Sequence, residues 1–384
     1  MNRELVKQYI DSQPIKVVTK FDLTTNKLAY TEIKQNREIR DINGDEEVVR
    51  AYILTRLVNE LGYSPSLIEI ELEYSAGRAP KLSPRADILV RDSNNDVFLF
   101  FELKSPSEYD INDKDRIIND QLFSVAALEK VKGNAVKYLV LYTVNDNNDI
   151  LSDECIVIDN EKFTSFTDWE ETRDSGNTLP IRYGKAQKKP YIKASEHDLE
   201  KNFTTEALLR IQTDLHNVLW GGGGTDDNEV FSSLVNLILA KIQDEDETED
   251  NNTYSFQSLT FAKDGDDLFE TNEQLFERIN TLYRKALRHK LNLTDENELK
   301  KSYVIDTKKF SLSKLKYTVQ KLEGLSFVDG KNSLNGKDIL GDFFEGIIRD
   351  GFKQSKGQFF TLINVVIFML LAVQADQIAI KRIK

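Results

Sequence analysis

The chain has 384 residues, enough for two or three domains with substantial cores. Its 51 Lys and Arg against 64 Asp and Glu leave a net charge of -13, which excludes a broadly basic surface that coats DNA and leaves only local patches for phosphate. One Cys and three His exclude a disulfide framework and argue against a zinc cluster, as expected of a protein kept in a reducing cytoplasm.

Residues 1–42 mix short apolar runs with charges and are expected to form a leader packed on the domain that follows. The start, Met-Asn-Arg-Glu-Leu-Val-Lys, lacks the apolar run of a signal peptide. From residue 45 to 61, Val49, Ile53 and Leu57 recur at helical spacing. Glu46 shares that stripe and Glu47 lies on the adjacent one. Either is a candidate to reach a site, or simply an acid favoured by the helix N-terminus. Residues 68–74 alternate apolar side chains with Glu69, Glu71 and Glu73, which predicts a half-buried strand with solvated acids, Glu71 being the one able to face a site.

Residues 85–104 predict a β-hairpin: two β-rich runs flank the polar turn Asp-Ser-Asn-Asn-Asp. A turn centred on Asn94 and Asn95 pairs Ile88 with Phe101, Val90 with Leu99, Asp87 with Glu102 and Arg85 with Lys104. Alternation along each strand then puts the apolar pairs on one face and Asp87, Glu102 and Lys104 on the other. Carboxylates roughly 5 Å apart repel unless something positive sits between them. Mg²⁺, with Mn²⁺ as a substitute, suits two acids, a backbone carbonyl and waters, while Lys104 is placed to orient water or neutralise a phosphate oxygen. The alternative is an exposed salt bridge on a sheet edge.

Residues 113–131 read as a helix with Ile118, Gln121, Val125 and Leu128 on one face, where Gln121 needs a polar partner. Residues 138–143 and 154–158 supply further strands, and Cys155, inside an apolar run, is expected in the core rather than as a nucleophile. The order helix, three strands, helix, strand predicts a mixed α/β sheet with the site at one end.

The motifs Glu46-Glu47-Val48-Val49-Arg50, Leu61-Gly62-Tyr63, Arg85-Ala86-Asp87-Ile88, Glu102-Leu103-Lys104-Ser105-Pro106 and Gln121 resemble the PD-(D/E)xK nuclease superfamily, in particular the nuclease domain that opens the restriction subunit of type I restriction enzymes. The resemblance covers residues 45–143. It implies a restriction-endonuclease-like domain over 43–160, with Asp87, Glu102 and the Leu103 carbonyl holding metal, Lys104 as the catalytic lysine, and Glu46, Glu47 and Gln121 as auxiliary residues. The family pattern has Tyr four residues after the Gln, where this chain has Val125.

Residues 161–195 lose periodicity and carry Pro180, Pro190 and a Lys-rich patch at Lys185, Lys188, Lys189 and Lys193, read as a linker whose charge is either solvated or set against phosphate. From 196 an all-α connector is expected. Gly221 to Gly224 terminate a helix, since no Lys-Ser or Lys-Thr follows them as in a phosphate loop. The acidic run 244–250 is read as a solvated loop. Residues 284–321 hold eleven Lys or Arg against four acids, which makes them the best DNA-backbone candidate or a basic solvated face.

Residues 338–361, ending Gly357-Gln358-Phe359-Phe360-Thr361, are similar to the segment preceding the catalytic domain of type I modification subunits and fused restriction-methylation enzymes, which methylate adenine in DNA. The resemblance implies a turn that closes over S-adenosylmethionine. No Asn-Pro-Pro-aromatic motif exists in the chain, so no useful binding of the methyl donor is expected from this polypeptide alone. The apolar run 362–373, about a dozen residues, is too short to span a bilayer and is expected to meet a missing methyltransferase or target-recognition partner. The overall expectation is a Mg²⁺-dependent endonuclease acting on double-stranded DNA; the alternative is a catalytically silent module that docks DNA or a methyltransferase.

Overall fold

The computed structural model describes residues 1–74, 84–111, 114–147, 150–203, 205–220, 227–263, 266–332 and 343. The amino-terminal part opens with α1 (Arg3–Ser12), β1 (Val18–Asp22), β2 (Lys27–Tyr30) and β3 (Lys34–Gln35). Next come α2 (Asp45–Asn59), β4 (Ile68–Glu73), β5 (Arg85–Arg91) and β6 (Val97–Leu103). Helices α3 (Pro106–Ile111), α4 (Lys114–Ile117) and α5 (Ser124–Val131) precede β7 (Val136–Asn147) and β8 (Ile150–Asp159). A mixed six-stranded sheet in the order β3-β4-β5-β6-β7-β8 is the centre of this α+β unit.

Both sheet faces are covered. On one, Ile88, Val90, Leu99, Phe101 and Leu103 pack with Val49, Ile53 and Leu57 of α2 and with Val6, Ile10 and Phe21 of the leader. On the other, Ala86, Leu89, Val97 and Phe100 pack with Ile118, Leu122, Val125 and Trp169. The hairpin therefore has core on both faces rather than one. Every residue of β6 is buried, which fits its unbroken apolar run Val-Phe-Leu-Phe-Phe and its parallel partner β7. Helix α2 is likewise buried nearly all round, so the amphipathic stripe read from sequence understates it.

The β5–β6 register is the expected one at Ile88↔Phe101 and Val90↔Leu99, then shifts by one at Arg91↔Val97. The turn explains the shift: Asp92 accepts the backbone N–H groups of Asn94 and Asp96, and Asn95 takes the left-handed conformation at φ +68. The strand β4 departs further from expectation. Glu69 and Glu71 are buried, and only Glu73 is exposed. Glu69 is paired with Lys34 and Arg91, so its charge is compensated inside the sheet instead of by solvent.

The stretch expected as a linker carries α6 (Phe166–Thr172), whose Trp169 is buried in the second core. Of the four lysines in its Lys-rich patch, two are committed internally, while Lys185 and Lys189 are exposed: Lys188 pairs with the buried Glu323, and Lys193 donates to the carbonyls of Glu245 and Thr248.

The carboxyl-terminal part is mostly helical. It contains β9 (Asn202–Phe203), α7 (Thr205–Trp220), α8 (Asp227–Glu247), β10 (Thr260–Lys263), β11 (Asp266–Phe269), α9 (Asn272–Lys290), α10 (Glu296–Lys301), α11 (Leu312–Leu322) and β12 (Lys331–Asn332). The acidic run is a loop only at its end, where Glu249 and Asp250 are exposed. Helix α8 extends to Glu247, and Asp244 accepts the backbone N–H groups of Ser255 and Phe256 while Glu245 accepts those of Phe327 and Val328. Buried acids here do the work of capping two chain segments. Six of the eleven basic residues in 284–321 pair with acids: Lys285, Arg288, Lys290, Lys309, Lys316 and Lys321. That face is thereby much less basic than its local sequence. Gly221 to Gly224 and Gly357 to Thr361 lie outside the described residues; Phe343 is described and packs edge-on against Phe327.

Candidate active site

The site forms where the β5–β6 ladder stops. Beyond Ile88↔Phe101 the next backbone bond is replaced by a side chain: Asp87 Oδ2 accepts the Leu103 N–H at 2.8 Å. The strand β6 ends there, and the Lys104 N–H crosses to the Tyr142 carbonyl of β7. Ser105 then starts α3, its Oγ accepting the Glu108 N–H, with Pro106 at the first helical position. The sequence Glu-Leu-Lys-Ser-Pro thus encodes a strand end, a crossing and a helix start in five residues.

A second local feature aims the acids. Glu71, which lies opposite Asp87 in the β4–β5 register, has φ +57. Ile70 belongs to the core beneath α2 while Leu72 packs against the opposite core, and Ile88 and Ala86 divide the same way. The two strands switch faces together at Glu71 and Asp87, and both carboxylates meet Arg50 of α2. Arg50 is wholly buried. Its Nη1 lies 2.5 Å from Glu47 Oε1, and its Nη2 lies 2.8 Å from Glu71 Oε1 and 3.2 Å from Asp87 Oδ1. Arg85, expected across from Lys104, instead bonds Glu71 Oε2 at 3.0 Å, because the ladder that would have carried it to Lys104 has already ended.

Lys104 Nζ pairs with Glu102 Oε1 and donates to the Leu103 carbonyl at 3.0 Å. Asp87 and Glu102 are 4% and 7% exposed, so their charges are felt at low dielectric. Burial, with the Asp87 charge adding to it, pushes the Glu102 carboxyl up to about 8, against the pull of Lys104. Burial and the same Asp87 charge push Glu46 up to about 7. For Lys104, burial works to lower the ammonium, but Glu102, Asp87 and Glu46 outweigh it and hold its pKa above the ordinary lysine value.

The two acids of α2 separate clearly. Burial raises both carboxyls; Glu46 lies in the field of Asp87, Lys104, Arg50 and Glu108, whereas Glu47 is attracted by Arg50 at close range and repelled by Glu71 and Asp87. Gln121 is not brought to the cluster. Residues Ile118–Phe123 form a π-helical turn, whose wider winding changes the face each residue presents, and Gln121 is exposed while Ile118, Leu122 and Val125 are buried. The central place of Arg50 and the burial of Glu71 have no counterpart among the sequence expectations. Arg50 stands three and four residues after Glu47 and Glu46, the helical pairing distance, and that spacing was the available signal.

Glu46, Glu47, Glu71, Asp87 and Glu102 stand against Arg50, Arg85 and Lys104, leaving two negative charges when all are ionised. That excess, and the raised carboxyls it contributes to, suit a hard divalent cation. Among the described residues no three His, Cys, Asp or Glu side chains form a complete cage. Asp87, Glu102 and the Leu103 carbonyl are the oxygen donors grouped at this strand end, two acids and one carbonyl of the kind that Mg²⁺ takes together with water. Cys155 is buried and burial pushes its thiol up to about 12, so it is no nucleophile.

Residues 45–162 match the family model described as the type I restriction enzyme R protein N terminus. No curated protein matches the chain. Among the described residues no helix is long and apolar enough to cross a membrane.

Proposed function

We propose that residues 43–160 form a Mg²⁺-dependent endonuclease that hydrolyses phosphodiesters of double-stranded DNA in the cytoplasm, as part of a restriction-modification enzyme. The observation that carries this reading is the buried cluster of Asp87, Glu102 and Lys104 at one end of the β5–β6 hairpin, with more acid than base around it. The match to a restriction-subunit amino terminus over the same residues supports it.

Asp87, Glu102 and the Leu103 carbonyl would hold the cation, which would supply charge neutralisation at the scissile phosphate and acidify a water. Lys104 donates rather than accepts. Its raised pKa keeps the ammonium charged at neutral pH, so it serves to neutralise a phosphate oxygen or orient the attacking water. Glu46, pushed up to about 7, is suited to take a proton near neutral pH. Glu47 has a supporting part through Arg50.

The test is incubation of the purified chain with supercoiled plasmid and Mg²⁺ or Mn²⁺, with EDTA as control. Metal-dependent nicking or linearisation supports the assignment. Binding without turnover at all metal concentrations rejects it in favour of a docking module for DNA or a methyltransferase. This reading also takes a methyltransferase as partner and Gly357 to Thr361 as a segment related to S-adenosylmethionine binding; failure of the chain to crosslink to labelled methyl donor is the expected result for the chain alone.

A further inference from the structure

We infer that Arg50 is a positioning residue for the metal site: its guanidinium fork sets the orientation of Asp87, so that metal affinity depends on a side chain that touches neither metal nor DNA. The inference rests on the nuclease reading above.

Asp87 is fixed at both oxygens, by the Leu103 N–H on Oδ2 and by Arg50 Nη2 on Oδ1. The first bond belongs to the sheet, while the second comes from α2 and ties the helix to the end of the ladder. The same nitrogen bonds Glu71, whose left-handed backbone is unusual for a Glu inside a strand and is held by Arg50 and Arg85 together. One planar, rigid group thus spans Glu47, Glu71 and Asp87, which a point-charge ammonium cannot do. Residues that orient metal ligands in this way commonly affect affinity by about 10–100-fold.

A purely charge-balancing Arg50 makes a different prediction, and two variants separate the two roles. Arg50→Lys keeps the charge and loses the fork. Arg50→Met combined with Glu71→Gln removes one cation and one acid together, leaving the local balance unchanged. Mn²⁺ binding is measured by calorimetry on the full chain, alongside a melting curve in EDTA and the Mg²⁺ dependence of plasmid nicking. The expected result is a folded Arg50→Lys protein with Mn²⁺ affinity weakened by about tenfold or more, the half-saturating Mg²⁺ rising with it while the rate at saturating metal changes less. The double variant is expected to be weakened similarly. Affinity within about twofold of wild type in either folded variant overturns the inference, and so does loss of fold in both, which makes Arg50 a stability residue. Wild-type protein that binds no Mn²⁺ overturns the nuclease reading itself, a result distinct from wild-type binding that the variants leave unchanged.

Discussion

Asp87 Oδ2 takes the Leu103 N–H at 2.8 Å in the place where a carbonyl of β5 would continue the ladder. A side chain closing a sheet bond leaves its carboxylate at the strand end instead of in a core, and Glu102, one residue before Leu103, is carried to the same place.

Lys104→Ala is expected to reduce metal-dependent plasmid cleavage by roughly 10²-fold or more, the scale seen when a preorganised donor to a developing charge is removed. The melting temperature in EDTA should change little, because Lys104 is anchored by its backbone to Tyr142. Unchanged cleavage removes the lysine from the mechanism.

Stability without metal should fall as pH rises from about 5 to about 8. Glu46 and Glu102 are raised to about 7 and about 8 from an ordinary value of 4.5, so in this window the folded state holds protons that the unfolded state has released. The unfolding free energy therefore decreases with pH until the folded groups ionise. Melting curves in EDTA across this range measure it. Glu102→Gln should flatten the decline, and saturating Mg²⁺ should oppose it by binding the ionised form. A stability that rises with pH through the same window contradicts the charge excess.

Asp244→Ala should destabilise the helical part by about 2–5 kcal/mol, since it strands the buried N–H groups of Ser255 and Phe256. Urea unfolding followed by helix signal is the measurement. A cost below about 0.5 kcal/mol would return Asp244 to the solvated loop expected from sequence.

Cys155 should resist alkylation by iodoacetamide at pH 8 in the folded protein and react on unfolding, because burial pushes its thiol up to about 12. Rapid native-state modification is the contrary result.

Local sequence made the hairpin legible. The β-rich runs 85–91 and 97–103 and the Asn-containing turn between them give the pairing of Ile88 with Phe101. Gln121 is exposed although its spacing places it on the apolar stripe, because a π-helical turn cannot be told from an α-helical one by apolar spacing. The acids of 69, 71, 244 and 245 were read as solvated for a shared reason. A charged side chain in a sequence carries no sign of the guanidinium, ammonium or backbone N–H that will meet it from a distant segment.

The sequence alone determined which carboxylates and which lysine stand at the end of the hairpin, because strand period and turn chemistry are local. Tertiary structure decided how they are used. Packing of α2 against the sheet brings Arg50 to Glu71 and Asp87 and makes Glu46 rather than Glu47 the neighbour of Lys104, and folding of the helical part pairs six of the eleven basic residues in 284–321 with acids. Charge compensation falls steeply with distance and rises with burial, and neither quantity exists until the chain has folded.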